Sequence, residues 1–331
     1  MKIILLASHM LAFVIAMIIG SSGQDGRILQ ANLSKLGYRI LTIARNSIEF
    51  EGVSLDFQDM SDKQTAYSFL SYYQPNLIFH VAAIHGSSET QGSVIQAHGA
   101  EMRRCHVGIT NNLLEWASRN LSTRIHIALS SQMYSPDRLI GSVTEESKTD
   151  PINLYGQTKS EAWELLRFYR NEFGVNVGGS ILFNHASKYS RREFLFSQMA
   201  DQFSEIYMGE RSGIDLRNPH ALIDISCAFE ICQGMIDNVL HLPQEDFVFA
   251  SGKNIRIAEI VMRAGELLGL SERMGNLDTF ASLADEIERP ILAACPKKAK
   301  DLLGWEAKKK PEAILQEMTY ERLSERGIIG A

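Results

Sequence analysis

The sequence predicts an α/β fold, with a doubly wound parallel sheet followed by a smaller, mainly helical C-terminal region. Short apolar runs alternate with amphipathic helical patterns through the first half of the chain. A glycine-punctuated turn, GSSGQDG over residues 20–26, separates the first apolar run from the first helical pattern. Tyr155 stands four residues before Lys159 in a long helical pattern. These three observations support the fold class and indicate which residues form its functional site.

The predicted elements follow one another in the order that such a sheet requires. Strands are expected at residues 13–19, 39–44, 76–81, 124–129 and 175–182, and helices at 23–36, 62–73, 94–120 and 154–173. Strands that alternate with helices imply parallel pairing with right-handed crossovers. Beyond residue 183 the pattern loosens, and the clearest helices are expected at 257–268 and 311–326.

Size and composition indicate a globular protein of one large or two closely joined domains. The chain has 331 residues, of which 45% are hydrophobic and 22% charged. A net charge of −6 and the lack of a long basic run argue against nucleic-acid binding. The four cysteines and nine histidines lack metal-ligand spacing, so we expect no metal site, reduced thiols and a cytoplasmic location.

The apolar run over residues 3–19 allows two interpretations. It resembles the core of a signal peptide or a short membrane span. However, it ends directly at the turn that begins with Gly20, and residues 13–19 suit the first buried strand of a parallel sheet, which is typically a continuous apolar run. We therefore expect residues 1–12 to form an apolar N-terminal extension, with no membrane attachment.

The turn over residues 20–26 has the properties of a dinucleotide site. It follows a strand and opens a helix, a context that strengthens an otherwise weak glycine pattern. Gly20, Gly23 and Gly26 allow the backbone to approach a pyrophosphate, and the helix N-terminus offers free N–H groups. We therefore expect residues 13–183 to form a Rossmann-type domain and residues 184–331 mainly a substrate-binding region, with some segments returning to the first domain.

The end of the second strand selects between the two nicotinamide cofactors. An acid there favours NAD, whereas an arginine suits the additional phosphate of NADP. The strand ends at Arg45 without an acid, so we expect NADP rather than NAD. Asp56, between the second strand and the helix at 62–73, is a candidate to face the adenine. Ala82 and Ala83 leave room for backbone to pass close to the cofactor.

Three polar side chains form the expected reaction site. Tyr155 and Lys159 share one helix face, and a nearby ammonium should lower the pKa of the phenol from its usual value of about 10. Tyr155 would then accept a proton from an alcohol that a nicotinamide oxidises. Ser130, which follows the strand at 124–129, is expected to orient the reacting oxygen.

With these motifs, the chain resembles the extended short-chain dehydrogenase/reductases, the epimerase/dehydratase family, and among them most closely the GDP-mannose 4,6-dehydratases. The resemblance extends over nearly the whole chain from about residue 14. GSSGQDG at 20–26 is similar to that family's GxTGQDG, HVAA at 80–83 to its NLAA, SSQMY at 130–134 to its TSELY, and LFNHAS at 182–187 to its LFNHES. Tyr155 and Lys159 match its YxxxK pair.

The resemblance implies an enzyme that acts on a nucleotide sugar, GDP-linked rather than UDP- or dTDP-linked, and assembles as a homodimer or homotetramer. Lys159 would also hold the nicotinamide ribose. The resemblance adds Gln24 and Asp25 to the cofactor contacts. It also implies substrate contacts by Ser131, Asn184, Arg192 and Arg289.

One departure from the family pattern decides the chemistry. The glutamate that removes the C5 proton and assists loss of the C6 hydroxide is replaced by Gln132. An amide cannot accept that proton, and loss of one general acid/base costs on the order of 10²–10⁴ in rate. His85 is a candidate replacement near the substrate. The arginine pair of the family's NHESPRR is matched by Arg191 and Arg192 only with a shift of two residues.

The sequence is compatible with three functions. A dehydratase would oxidise the sugar at C4 and then eliminate water. A 4-keto-sugar reductase or epimerase needs Ser130, Tyr155 and Lys159 but no glutamate at position 132, and Gln132 favours it. A non-catalytic NADP-binding regulator would be expected to lose these three groups, and their presence argues against it.

Overall fold

The computed structural model describes residues 14–56, 58–84, 93–216, 218–274 and 291–330. The predicted extension at 1–12 lies outside the described residues, and so do Phe13, His85 and Arg289.

A single eight-stranded sheet forms the larger part of the molecule. Its order is β12-β8-β6-β5-β1-β2-β3-β4, and all pairs are parallel except β2–β3 and β3–β4. The strands of this sheet are β1 (Ile15–Ile19), β2 (Arg39–Ile43), β3 (Ile48–Phe50), β4 (Val53–Leu55), β5 (Leu77–His80), β6 (Arg124–Ala128), β8 (Asn176–Leu182) and β12 (Phe247–Phe249). Three two-stranded pairs flank it: β7 (Ser142–Val143) with β14 (Ala293–Ala294), β9 (Asn184–Ala186) with β11 (Ile225–Cys227), and β10 (Leu222–Ile223) with β13 (Ile255–Arg256).

Helices cover both faces of the sheet and build the C-terminal region. They are α1 (Gln24–Lys35), α2 (Lys63–Tyr73), α3 (Ser93–Arg103), α4 (Ile109–Ala117), α5 (Leu154–Phe173), α6 (Leu195–Tyr207), α7 (Ala228–His241), α8 (Ile257–Leu267), α9 (Lys297–Leu303) and α10 (Pro311–Glu325). A π-helical turn, Arg104–Gly108, joins α3 to α4.

Burial on both faces explains the continuous apolar run of β1. Met17 and Ile19 join one hydrophobic cluster, which includes residues of α2, α4 and α5. Ala16 and Ile18 alternate with them and join the opposite cluster, with residues of α1 and α7. Because successive side chains of a strand point to opposite faces, a strand covered on both sides has no polar positions.

A third hydrophobic cluster lies in the C-terminal half of the chain. It contains residues of α6, α8 and α10, such as Phe203, Val261 and Leu315. Asp224 connects this part to the end of β12, because its carboxylate accepts hydrogen bonds from the N–H groups of Ser251 and Gly252 at 2.9 and 2.8 Å. Asp224 therefore has a structural role.

The structure confirms the predicted α/β class with a mostly parallel sheet, and the predicted helix at 154–173 matches α5. The helical stretch predicted at 94–120 is interrupted by the π-helical turn. The antiparallel edge hairpin β3–β4 was not predicted. It closes through Glu51 and Gly52, both with positive φ, which is the geometry of a two-residue hairpin turn.

Candidate functional site

The strand order reverses between β1 and β5, and the glycine turn lies at this switch point. Gly20 directly follows β1 with a φ of +96°, and a Cβ atom there would lie 2.5 Å from the nitrogen of Ala82, which follows β5. Gly26 is equally restricted, because its Cβ would lie 2.3 Å from the Gly20 carbonyl oxygen. Both positions therefore require glycine, and ligands of open parallel sheets bind at such switch points.

The first turn of α1 has no side-chain cap. Its N-cap residue is Gly23, with extended backbone (φ −76°, ψ 172°), and glycine cannot supply an oxygen to the free N–H groups that follow. These donors, together with the positive end of the helix dipole, suit a phosphate. The turn therefore fits the pyrophosphate of a dinucleotide.

A cavity of about 1160 Å³ extends from this turn across the ends of the parallel strands. It brings together most of the residues that the sequence analysis selected. They are Gly20, Gly23, Gln24, Asp25, Gly26, Arg45, Ala82, Ala83, Ser130, Ser131, Gln132, Tyr155, Lys159 and Asn184.

The part of the cavity near the end of β2 differs from the prediction in one residue. Arg45 lines the cavity after β2, with its guanidinium 3.9 Å from the carboxylate of Glu101. Asp56 is exposed and is not among the lining residues, whereas Asp59 and Met60 are. The acid of this segment that lines the cavity is therefore Asp59 and not Asp56.

Ser130 and Tyr155 line the same cavity. Ser130 Oγ accepts the N–H of Gln132 at 3.2 Å. Burial raises the pKa of Tyr155, and the negative charge of Asp25 adds to this effect, although the Ser130 hydroxyl opposes it. Tyr155 is therefore a neutral phenol over the physiological pH range.

Lys159 lies one helical turn from Tyr155, but its side chain is hydrogen-bonded to the sheet. Its ammonium donates to the Ala128 carbonyl at 2.7 Å, and its Nζ lies 5.9 Å from the centre of the Tyr155 ring. Burial lowers the pKa of Lys159 to about 8. The predicted lowering of the Tyr155 pKa by Lys159 is thus wrong for this structure, because the loss of hydration around the phenol dominates.

The π-helical turn carries a histidine that the sequence analysis did not select. His106 is buried, accepts the backbone N–H of Ile84 at 3.1 Å and contacts the hydroxyl of Thr158 at 2.8 Å. Its ring meets that of Tyr155 edge to face at 5.2 Å. Since π-bulges often occur at functional sites, the position of this turn could have indicated a site, but the sequence does not reveal a π-bulge.

A half-buried ion pair joins the glycine turn to β9. His185 Nε2 lies 3.1 Å from a carboxylate oxygen of Asp25. Burial opposes both charges, but their mutual attraction and hydrogen bond prevail, so the pKa of Asp25 is lowered and that of His185 is raised. Gln24 adds to this connection, because its Oε1 accepts the hydroxyl of Ser187 at 3.0 Å.

The loop after β9 places one of the two neighbouring arginines in the cavity. Arg191 lines the cavity. Arg192 is not among the lining residues, because its guanidinium pairs with Asp201 and Glu325, the latter at 2.7 Å. The cavity is therefore lined by Arg191 and not by Arg192, the residue that the sequence analysis selected. Asn184 lines the cavity and donates to the Asp224 carbonyl at 3.1 Å.

No helix among the described residues is long and apolar enough to cross a bilayer. The same residues contain no group of three or more His, Cys, Asp or Glu side chains that could hold a metal ion.

A mostly parallel sheet with a glycine turn at its switch point, and a Ser–Tyr–Lys group beside it, defines the short-chain dehydrogenase/reductase class in its epimerase/dehydratase branch. The sequence matches the family described as GDP-mannose 4,6 dehydratase over residues 17–318. The chain belongs to this family of nucleotide-sugar enzymes.

Curated relatives agree with this assignment. The chain is 23% identical to GDP-mannose 4,6-dehydratase sdnI of Sordaria araneosa over 92% of its own length, although it spans only 60% of that relative. It is 24% identical to GDP-mannose 4,6-dehydratase of Yersinia enterocolitica, with 93% of this chain and 92% of the relative covered.

Solved structures share the fold at low sequence identity. They include dTDP-glucose 4,6-dehydratase of Bacillus anthracis with NAD (TM-score 0.73, 16% identity, 95% and 98% of the two chains covered). RMD of Pseudomonas aeruginosa with NADPH has a TM-score of 0.71 at 16% identity, covering 94% and 100%. UDP-glucose 4-epimerase of Thermotoga maritima with UDP-glucose has a TM-score of 0.74 at 16% identity, covering 94% and 99%.

Proposed function

We propose that this protein is an NADP-dependent enzyme that transfers hydride at C4 of a nucleotide sugar, with reduction or epimerisation of the 4-keto sugar rather than elimination as its net reaction. The observation that carries the proposal is that Ser130, Tyr155 and Lys159 line one cavity together with the glycine turn. Gln132, where the dehydratases have glutamate, supports the choice of reaction.

NADP fits the residues present. The backbone from Gly20 to Gly26 would hold the pyrophosphate, and Arg45 would contact the 2′-phosphate, since a planar guanidinium suits phosphate oxygens. Replacement Arg45→Ala should then weaken NADPH binding roughly ten- to hundredfold, as expected for loss of a charged hydrogen bond, and leave NADH binding unchanged. Equal effects on the two cofactors in a fluorescence titration would contradict the NADP preference.

The chain's own groups can perform the proton transfer of a ketone reduction. A bound NADPH supplies the hydride to the carbonyl carbon. Tyr155 gives its phenolic proton to the carbonyl oxygen, a role that suits a phenol whose raised pKa keeps it protonated. Ser130 orients that oxygen, and Lys159 places a positive charge near the phenolate that forms.

Elimination is the second candidate, because the family match favours it and because a carboxylate lines the cavity. Glu193 is exposed on the loop after β9 and is one of the lining residues. It could replace the missing glutamate as the base that removes the C5 proton. His85, the replacement predicted from the sequence, lies outside the described residues.

One assay separates these functions. The purified protein is incubated with GDP-mannose and NADP, and in parallel with a GDP-linked 4-keto sugar and NADPH, and products are identified by mass spectrometry. NADPH consumption only with the keto sugar supports reduction, interconversion of C4 epimers supports epimerisation, and a product that has lost water supports elimination. Cofactor binding without any turnover would instead support the non-catalytic regulator.

We further propose that residues 13–183 hold the cofactor and residues 184–331 mainly the sugar nucleotide. The relatives named as GDP-mannose dehydratases support a GDP-linked substrate over UDP- and dTDP-linked ones. Competition binding with the three classes of nucleotide sugar tests this preference. We also propose a homodimer or homotetramer formed through the helical stretches at 94–120 and 154–173, which sedimentation would test.

A further inference from the structure

We infer that Asn153 is a positioning residue that fixes the side-chain amide of Gln132 so that its NH₂ group faces the cavity. Gln132 then donates a hydrogen bond to a sugar oxygen, where a glutamate would act as a base. The identity of the ligand rests on the proposed function. The orientation of the amide does not, because it follows from contacts within the chain.

The orientation of Asn153 is set by the helix that it caps. Asn153 is the N-cap residue of α5, with extended backbone (φ −138°, ψ 163°), and its Oδ1 accepts the N–H of Gly156 at 2.8 Å. An N-cap must present an acceptor to the first turn of a helix. The oxygen of the Asn153 amide therefore faces the helix, and its Nδ2 must point away from it.

This arrangement determines the orientation of the second amide. Asn153 Nδ2 donates to Gln132 Oε1 at 3.1 Å. Since an amide nitrogen is only a donor, Gln132 must face it with oxygen, and both N–H groups of Gln132 Nε2 remain for other partners. Gln132 lines the cavity, and in the described part of the chain no protein acceptor contacts its Nε2.

The backbone of Gln132 is also fixed. It lies in a 3₁₀ turn, Ser131–Met133, and its N–H donates to Ser130 Oγ at 3.2 Å. The helix α5 packs directly on its carbonyl, because a Cβ at Gly156 would lie 2.0 Å from that oxygen. Gln132 is therefore held two residues from Ser130, and it lines the same cavity as Ser130 and Tyr155.

An amide donor at this place defines the kind of substrate. It is matched to a hydroxyl or carbonyl oxygen of the sugar and not to the acidic C5–H that a carboxylate would attack. We therefore assign this subsite to a nucleotide sugar with a hydroxyl or carbonyl oxygen next to the reacting carbon. This oxygen is not lost during the reaction.

The replacement Asn153→Asp tests the inference. Aspartate caps a helix as well as asparagine but cannot donate, so Gln132 must turn its Nε2 toward the new carboxylate and present Oε1 to the cavity. The expected result is an unchanged unfolding midpoint and a decrease in kcat/KM for the keto sugar of about tenfold, the usual effect of one hydrogen bond. An unchanged kcat/KM would overturn the inference.

The same replacement in a Gln132→Ala background controls for the added charge. If Asn153 acts through Gln132, Asn153→Asp should have no further effect in that background. If the decrease persists there in full, the new carboxylate acts on the ligand directly and the positioning role is wrong.

A third measurement needs no substrate. In the cofactor-free protein labelled with ¹⁵N at glutamine side chains, the Gln132 amide resonance is identified by its loss in Gln132→Ala. Asn153→Asp should shift this resonance downfield, because the NH₂ gains a carboxylate acceptor. The absence of a shift would overturn the inference. A shift without turnover of any keto sugar would support the orientation and overturn only the proposed reaction.

Discussion

The Nζ atom of Lys159 lies 5.9 Å from the centre of the Tyr155 ring, yet it donates its hydrogen bond to the carbonyl of Ala128, 2.7 Å away at the end of β6. The i, i+4 spacing thus puts both groups on one helix face, as predicted. The hydrogen bond of the lysine, however, is accepted by a carbonyl of the sheet and not by the phenol. Loss of hydration opposes ionisation of both groups, so the pKa of the phenol is raised and that of the ammonium is lowered.

The burial of the Lys159 ammonium should lower the free energy of unfolding. Its pKa in the folded protein, about 8, lies below the ordinary value of 10.5, which corresponds to a penalty on the order of 3 kcal/mol at neutral pH. Lys159→Met removes the charge but leaves the Ala128 carbonyl without this donor. We expect the free energy of unfolding at pH 7 to rise by about 1–2 kcal/mol, measured by urea denaturation.

The pH dependence of this effect has a defined sign. Between pH 8 and 10.5 the unfolded chain keeps the Lys159 proton that the folded protein has released, so the wild-type protein gains stability as the pH rises through this window. The advantage of Lys159→Met should therefore shrink above pH 8. The exposed Lys35, replaced by Met, serves as the control and should change stability by less than about 0.5 kcal/mol. A destabilised Lys159→Met protein would contradict the burial penalty.

Removal of the Tyr155 hydroxyl should abolish most turnover. Tyr155→Phe deletes the proton donor and should lower kcat by about 10²–10⁴ while NADPH binding is retained. Tyr134→Phe is a matched control, because the Tyr134 hydroxyl is buried and has no hydrogen-bond partner among the described residues. It should leave kcat unchanged and stabilise the protein by about 1 kcal/mol. Equal losses of kcat in the two variants would argue against a catalytic role for Tyr155.

A carboxylate at position 132 should restore elimination. Gln132→Glu supplies the base that the amide lacks, so formation of a 4-keto-6-deoxy product from GDP-mannose should rise by about 10²-fold or more. Mass spectrometry of the nucleotide products measures the loss of water. If the wild-type protein already eliminates water and Glu193→Gln stops it, Glu193 is the base and the proposed reduction or epimerisation is wrong.

The two neighbouring arginines should differ in function. Arg191 lines the cavity, so Arg191→Ala should weaken binding of the nucleotide sugar about ten- to hundredfold, as for a charged hydrogen bond to phosphate. Arg192 pairs with Asp201 and Glu325 at the surface. Arg192→Ala should leave binding unchanged and lower the free energy of unfolding by at most about 1 kcal/mol. Calorimetric titration of both variants makes the comparison, and a reversed order would restore the predicted role of Arg192.

The elements that the sequence predicted well are long or strongly patterned. The helix α5 was predicted at its observed bounds, because Asn153 caps its start and Gly174, in a left-handed conformation, ends it. The hairpin β3–β4 was missed, since two three-residue strands at the edge of the sheet carry too few buried positions for an alternating pattern.

The same distinction applies within the site. Gly20, Tyr155 and Lys159 could be found from their spacing along the chain. Within a turn or a helix, the spacing of two residues determines how close their side chains lie in space. The contacts of His106 and the pair Asp25–His185 could not be found in this way. They join residues from separate elements, and His106 reaches the site only through a π-helical turn.

The sequence by itself determined the parallel α/β class, the position of the glycine turn, the helix that carries Tyr155 and Lys159, and the loss of the glutamate at position 132. These features depend on the periodicity and backbone conformation of residues that are close together in the sequence. Only the tertiary structure decided that the Tyr155 pKa is raised, and that Arg191 and not Arg192 lines the cavity. Burial, and the choice of a partner between distant residues, depend on which elements pack together.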